Sequence, residues 1–262
     1  MEQKNSIIPA SRQQKIMEYV KEHGSAQIKD LAEYLEVSVA TVRRDLDELD
    51  TQGLLVRTHG GAMSKNDNTS SFERQHLERL MIMREEKRRI AKLAASFVRD
   101  GETILLDSGT TNYYLASELS EIPNLTVITY DLFIASNLVL HPTSTLIVTG
   151  GIRRQGFNNV LWGSMVEDYI RNVRVDKAFL GADAVDLDFG ISNTNVLEAN
   201  IKKILVQAGK KVILIVDHSK LDRLALVKVC ELNAVDEMII DKKIDEVSLS
   251  RLKDKIKKVH LA

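Results

Sequence analysis

Four short stretches of this chain carry groups that could hold an anion, and each follows an apolar run. Asp107-Ser108-Gly109-Thr110-Thr111 stands between the run Thr103–Leu106 and a helical segment. A glycine and three hydroxyls at a helix start offer backbone N–H groups, side-chain donors and the positive end of the helix dipole, the requirements of a phosphate cradle. Gly150 and Gly151, after Thr145–Val148, lead into Arg153 and Arg154; glycines let backbone approach a ligand and arginines can pair an anion. Gly181-Ala182-Asp183 and Asp217-His218-Ser219-Lys220 end two further runs. A Gly-rich turn after a strand is commonly only a turn. Four of them, supplying hydroxyls, cations and carboxylates, point to a polar anion site. They contain no full Walker A or dinucleotide fingerprint, which disfavours a nucleotide.

A fifth stretch, residues 37–62, carries different chemistry: VSVATVRRDLDELDTQGLLVRTHGGA. Wound at about 100° per residue, Val39, Val42, Leu46 and Leu49 fall on one face, while Ala40, Thr41 and Arg44 point the opposite way. Ser38 is placed to cap the helix. A small residue, a hydroxyl and a guanidinium on the outer face suit a helix that lies in a DNA major groove, where bulk would hold it off the base edges. Arg43, on the flank, is placed for a phosphate contact or for pairing Asp47.

The elements that must position these groups can be read from periodicity. Ile16, Met17 and Val20 mark a first helix ending near Gly24, and Ile28, Leu31, Ala32 and Leu35 mark a second. The arginine helix is the third. Leu54-Leu55-Val56-Arg57 and the flexible pair Gly60-Gly61 then suggest a wing, so residues 1–62 read as a winged helix-turn-helix, with Arg57, His59 and Gly60 on the DNA side. The alternative is a three-helix bundle with a solvated arginine pair. These residues hold eight Lys and Arg against ten Asp and Glu, so a positive footprint must be local, at Arg43, Arg44, Arg57 and His59.

Residues 63–100 read as a polar linker followed by one long helix from Phe72 to about Arg99. From Thr103 on, apolar runs at Thr103–Leu106, Thr126–Thr129, Thr145–Val148, Lys177–Leu180, Val212–Val216 and Met238–Ile240 mostly alternate with helical segments. That alternation predicts, over residues 101–262, a mostly parallel sheet covered on both faces. Ligands in such sheets bind beyond the carboxyl ends of the strands, where the four polar stretches lie.

Composition narrows the rest. The chain has 262 residues, 44% of them hydrophobic, a formal net charge of −1 and three prolines. No apolar run approaches a membrane span of roughly 20 residues, and the N-terminal stretch lacks the apolar core of a secretory signal. The single cysteine, Cys230, excludes an internal disulfide and reads as a buried small hydrophobe. The six histidines show no ligand spacing, so no metal is expected; no cofactor is expected either. A cytoplasmic, soluble protein is the expectation.

The chain resembles the DeoR family of bacterial transcriptional regulators. In the N-terminal part the resemblance rests on Arg12 with Ile16, Asp30-Leu31-Ala32, Val37-Ser38, Thr41 to Leu46, Leu49, Gly53 and Arg57 to Ala62. In the C-terminal part it rests on Glu86-Lys87, Ile90-Ala91, Asp107 to Thr111, Gly150-Gly151 with Arg153, Asp176 to Gly181, Glu198 with Lys202, and Asp217 to Lys220. The resemblance implies a C-terminal domain related in fold to ribose-5-phosphate isomerases. It also implies double-stranded operator DNA as partner, and a homodimer or homotetramer. A sugar-phosphate effector is implied, held by Ser108 to Thr111 with Arg153 or Arg154, Asp183 and Lys220 nearby. Two positions depart from the family pattern. Thr129 is followed by Tyr130 rather than Asn, which would set a phenol at the sugar end of the ligand, and Ala184 replaces a glycine.

Two functions stay open on this reading. One is a repressor of carbohydrate-metabolism genes whose operator binding responds to a phosphorylated sugar. The other is an isomerase-like enzyme using Asp107, Asp183, Asp217 and Lys220 for proton transfer. The fused winged helix favours the repressor, since catalysis has no need of it.

Overall fold

The stripe along the arginine helix organises the N-terminal part. In this computed structural model, which describes residues 9–58, 60–64, 78–153 and 159–262, the chain divides into two units, Met1–Ile82 and Met83–Ala262. The first contains helices α1 (Pro9–His23), α2 (Ile28–Tyr34) and α3 (Val39–Thr51) and strands β1 (Ser25–Gln27), β2 (Leu55–Arg57) and β3 (Gly61–Ser64). The buried residues of α3 are Val42, Asp45, Leu46 and Leu49, spaced i, i+3, i+4, i+7 as a core-facing helix requires. They pack with Ile16, Val20, Leu31 and Leu35. Val39, expected on this seam, is 38% exposed. It opens the helix beyond the reach of the other two, and Asp45 takes the inward place instead. That carboxylate is neutralised by Arg12 of α1, whose Nη2 donates to Asp45 Oδ1 at 2.8 Å.

The wing is a three-stranded antiparallel sheet in the order β1-β3-β2. Its first strand is not among the predicted elements, because Ser25-Ala26-Gln27 carries no apolar run. Gly61, expected to be part of a flexible pair, is instead a buried strand residue paired with Gln27. A Cβ built on it would lie 1.9 Å from the Ala26 carbonyl oxygen, so only glycine lets the strands meet there.

One long helix between the units is not what the structure contains. Residues 78–81 are helical, Met83 adopts a left-handed conformation with φ 53°, and α4 (Arg84–Ala95) starts afresh. The remainder of the expected helix, residues 72–77, lies outside the described residues. Glu85 and Glu86 in the first turn of α4 are the acidic signature of a helix N-terminus.

In the second unit follow β4 (Thr103–Leu106), α5 (Thr110–Ser117), β5 (Thr126–Thr129), α6 (Leu132–Asn137), β6 (Thr145–Val148), α7 (Ser164–Arg171), β7 (Val175–Leu180), β8 (Ala184–Asp186), β9 (Gly190–Asn193), α8 (Val196–Ala208), β10 (Gly209–Ile215), β11 (Val227–Cys230), β12 (Glu237–Ile240), α9 (Glu246–Lys255) and β13 (Lys258–Leu261). Seven strands form one sheet, β13-β12-β10-β7-β4-β5-β6, with every neighbouring pair parallel. Successive residues serve opposite faces. Leu105 and Leu214 join the core with Val166, Ile201 and Leu252, while Ile104, Leu106 and Ile213 join the core with Ile90, Leu115 and Ile134. Both faces are therefore covered by helices, as a parallel sheet demands.

The sequence reading holds no account of β13 or of a small antiparallel sheet, β11-β9-β8. The β8–β9 hairpin turns on Asp186, whose Oδ1 accepts the N–H groups of Asp188 (2.9 Å) and Phe189 (2.6 Å). Cys230 ends β11, half-buried, and burial pushes its thiol up to about 12, so it stays protonated and inert near neutrality. Among the described residues no helix is long and apolar enough to cross a membrane.

Candidate functional site

The strand order reverses between β4 and β7: β5 and β6 continue to one side of β4, while β7, β10, β12 and β13 continue to the other. The crevice beyond the carboxyl ends of β4 and β7 is thus the switch point where parallel sheets bind ligands. Asp107 to Thr111 leave β4 here and Gly181 to Asp183 leave β7. Neighbouring strands lie about 4.8 Å apart. Lys220 after β10 and Gly150 to Arg153 after β6 therefore flank β4 from opposite sides, each two strands away. The four polar stretches do share one edge, but only the two at the switch point are neighbours.

Ser108 to Thr111 form the turn into α5. Gly109 is its N-cap with φ 107°, a conformation that side chains resist. The first turn of α5 presents the orphan N–H groups of Thr110, Thr111 and Asn112, and both threonines are partly exposed. The turn is held from below by Asp131, whose Oδ2 accepts from Gly109 N (3.2 Å) and whose Oδ1 accepts from Phe133 N (2.8 Å) and Ile134 N (3.2 Å).

Asp107 lies under the cradle rather than in it. Fully buried, it accepts from Ser108 N (2.8 Å), Gly181 N (2.7 Å), the Tyr130 hydroxyl and Lys202 Nζ. Lys202 also donates to the Gly181 carbonyl at 3.2 Å. Burial draws the Lys202 ammonium down, but Asp107 and Glu198 outweigh it and raise its pKa. This corrects the expected place of Tyr130. Its ring is 0% exposed and its hydroxyl is spent on Asp107; burial first, then Asp107, lifts the phenol well above its ordinary value. Lys202, outside the predicted site, is the missed member of this network. Its one trace in the sequence is the spacing from Glu198, four residues earlier on the same helix.

The flanking residues are partly committed as well. Asp183 Oδ2 accepts from Thr194 N (2.9 Å) and Thr194 Oγ1 (2.6 Å). Arg153 is exposed, and its Nη2 donates to Asn159 Oδ1 at 3.1 Å. Arg154 lies outside the described residues. Gly151, φ 123°, serves packing, because a Cβ there would stand 2.6 Å from Val166 Cγ2. Lys220 is partly exposed at the end of a short turn capped by Asp217, whose Oδ1 accepts from Ser219 N at 3.0 Å. His218 beside it donates its N–H to Asp241 Oδ2 at 2.7 Å and sets its ring Nδ1 2.9 Å from Oδ1. Lys243 N donates to that same carboxylate at 3.1 Å, and Lys243 Nζ meets Glu86 of α4 at 2.7 Å.

Asp131 gives the cradle a pH signature. Burial raises its carboxyl from 3.8 to about 6, against the opposing bonds from Ile134, Gly109 and Phe133. The folded state then holds a proton that the unfolded state has released, so between about pH 4 and 6 this group makes stability fall as pH rises. Compared with Asp131→Asn, the native protein should lose up to roughly 3 kcal/mol more across that window. Urea midpoints at the two ends would measure it, and parallel pH profiles for the two proteins would refute it.

On α3, Ser38 Oγ accepts from Thr41 N at 3.1 Å, the expected cap. Ser38, Ala40, Arg43 and Arg44 are exposed and Thr41 partly so; Arg43 and Arg44 share an outward surface. Arg57 is turned inward instead: its Nε donates to Asp47 at 2.7 Å, and Nη1 donates to the carbonyls of Thr58 (3.1 Å) and Gly61 (3.0 Å). It braces the wing, and it holds the Asp47 carboxylate expected as a partner of Arg43. Gly60 is exposed, while His59 lies outside the described residues. Among the described residues no group of three or more His, Cys, Asp or Glu is arranged to hold a metal ion.

Comparison with known proteins accounts for both units. Residues 12–68 match the DeoR-like helix-turn-helix domain and residues 82–242 the DeoR C terminal sensor domain. The putative aga operon transcriptional repressor of Escherichia coli O157:H7 is 31% identical over 93% of this chain and 90% of its own length. The glycerol-3-phosphate regulon repressor of Escherichia coli K12 is 33% identical over 86% of this chain and 88% of its own. Both are named as regulators, not enzymes. Among solved structures, a ribose-5-phosphate isomerase bound to phospho-erythronic acid aligns with 53% of this chain and 54% of its own, at a TM-score of 0.39 and 21% identity. With both domains matched and relatives aligned over nearly their whole length, the chain belongs to the DeoR family of transcriptional regulators.

Proposed function

We propose that this protein is a repressor of carbohydrate-metabolism genes. It binds double-stranded operator DNA through α3 and the wing, and it responds to a phosphorylated sugar or related metabolite held at the carboxyl edge of the seven-stranded sheet. The observation that carries the reading is the cradle Ser108 to Thr111: an orphan helix start with two accessible threonines, at the switch point of a sheet fused to a DeoR-like helix-turn-helix. The relatives named for the aga operon and the glycerol-3-phosphate regulon support a sugar-related regulon. The enzyme alternative finds no support in Asp107, whose acceptor sites are all taken by the chain.

Residues 1–62 form the DNA-binding domain in this reading, residues 63–100 the connection and residues 101–262 the effector domain. On the DNA side Arg44 reads bases, with Ser38, Ala40 and Thr41 admitting the helix to the groove, while Arg43 and the wing tip at His59 and Gly60, braced by Arg57, approach phosphates. On the effector side the anion sits at Ser108 to Thr111, with Asp183 beside it at the end of β7 and with Lys220 and the Gly150 to Arg153 stretch on the two flanks. The weak net charge of one head argues for paired heads in a homodimer or homotetramer, acting in the cytoplasm. Coupling requires the effector to bind the operator-competent and incompetent states with different affinity. The series Lys220, His218, Asp241, Lys243, Glu86 leads from one flank of the site to the first turn of α4 and is a physical route for it.

The test selects an operator from a random-sequence DNA pool with the full-length protein and then follows gel shifts. Arg44→Ala should cost about 1–3 kcal/mol of operator binding and relax base preference. An effective sugar phosphate should change the native protein's operator affinity on the order of tenfold, and Thr110→Ala should remove that response. Failure to select any sequence would end the DNA reading. A Thr110→Ala protein that responds normally would end the cradle reading.

A further inference from the structure

One buried polar side chain in the second unit is left over when the cradle's hydrogen bonds are assigned. Asn112 stands in the first turn of α5 and is 1% exposed. Neither its Nδ2 nor its Oδ1 has a hydrogen-bond partner, and no other buried side-chain nitrogen or oxygen among the described residues is in that position. Unpaired buried amides are costly, and native proteins seldom keep them without a reason. Around it, Asp107 and Asp131 have every donor they need. Helical side chains lean back over the turn that precedes them, which sets Asn112 toward the Ser108 to Thr111 turn.

Its amide lies beside Gly181. A methyl built there would stand 3.3 Å from the Ser108 carbonyl oxygen, 3.4 Å from Asp107 Oδ2 and 3.5 Å from Asn112 Nδ2. Of those three walls, Asp107 Oδ2 is already used by Gly181 N and Lys202. Asn112 alone brings an unused donor, and beside it an unused acceptor, at the switch point between β4 and β7.

We propose that Asn112 is a specificity residue, one that recognises a hydroxyl on the carbon chain of an effector whose anionic group lies in the Ser108 to Thr111 cradle. The inference rests on the cradle reading given above. The choice of a hydroxyl follows from hydrogen-bonding capacity: Oδ1 needs a donor and Nδ2 an acceptor, and a hydroxyl supplies both. Phosphate and carboxylate oxygens supply acceptors only. The ligand class is therefore a hydroxylated phosphate ester, a polyol or sugar phosphate, in preference to an alkyl phosphate of similar size. A buried polar group discriminates well against an analogue that leaves it unpaired.

The test is calorimetric titration of the full-length protein with glycerol 3-phosphate, ribose 5-phosphate, propyl phosphate and inorganic phosphate, alongside melting of the free protein. The native protein should bind at least one hydroxylated ester roughly tenfold or more tighter than propyl phosphate. Asn112→Leu, similar in size and without polar atoms, should collapse that ratio and at the same time raise the melting temperature of the free protein. Gly181→Ala, which sets a methyl 3.5 Å from Asn112 Nδ2 and leaves the amide itself intact, should collapse the ratio too and covers the case of a Leu variant that misfolds. A ratio preserved in both variants overturns the proposal, as does Asn112→Leu lowering the melting temperature with the ratio intact, the mark of a purely structural amide. Binding of none of the four probes by the native protein would instead sink the cradle reading, and the role of Asn112 with it.

Discussion

Lys202→Met should lower the stability of the sensor unit by about 3–5 kcal/mol, the usual cost of stranding one partner of a buried ion pair. Lys202 is 3% exposed and Asp107 0%, so water cannot take over the lost charge. Gly181 would lose a donor to its carbonyl as well. The chain has a single tryptophan, Trp162, which packs against the second unit's core. Its fluorescence during urea unfolding therefore reports on that unit. Adding Asp107→Asn to Lys202→Met should recover part of the loss, because the stranded charge is gone. A Lys202→Met protein that unfolds at the native urea concentration would remove the network from its supporting role. The expected functional companion is a weakened effector response, since Asp107 holds the backbone of both Ser108 and Gly181 and so sets the distance between the two strand ends.

Gly61→Ala should abolish operator binding and destabilise the first unit by several kcal/mol, at the upper end of what single substitutions do. The added Cβ would sit 1.9 Å from the Ala26 carbonyl oxygen and 2.9 Å from its carbon. Backbone cannot yield as a flexible side chain does, so β1 and β3 must part, and β3 carries the pairing to β2. Arg57 would lose a carbonyl acceptor at Gly61 in the same step. Gel shifts with the selected operator and circular dichroism of the variant would check both effects. Gly60→Ala is the control for stability: a Cβ there meets nothing within 4 Å, and a Gly60 variant unfolded as far as the Gly61 variant by circular dichroism would contradict the steric account.

Most strands of the parallel sheet were legible because the central ones are buried and read as continuous apolar runs, and the half-exposed edge strand β6 carries a run of the same kind. β4, β5 and β6 begin and end where the runs do. β1 and β8, three residues each, were not legible because neither carries an apolar run, whereas β2, equally short, was marked by Leu54-Leu55-Val56. The break at Met83 was hidden because helical periodicity looks alike on both sides of a left-handed residue. Glu85 and Glu86 were the available sign of a new helix start.

At the site, loops at strand ends could be proposed one by one, since turn chemistry is local. Which loops are neighbours could not, because that depends on strand order. The reversal at β4 and β7 joins Ser108 to Thr111 with Gly181 to Asp183 and leaves Lys220 and Arg153 on opposite flanks. Tyr130 shows the same limit. Its place after β5 suggested a ligand contact, while burial turned it under the cradle to Asp107.

The order of residues by itself determined the winged helix with Arg44 facing outward and the alternating architecture of the second unit, since each follows from spacing along a helix or strand. Only the tertiary structure decided that Asp107 belongs to Lys202, that Arg12 neutralises Asp45, that Gly61 must be glycine and that Asn112 keeps an unused amide beside Gly181. Burial and hydrogen-bond satisfaction are properties of what surrounds an atom, and those surroundings come from residues far apart in the chain.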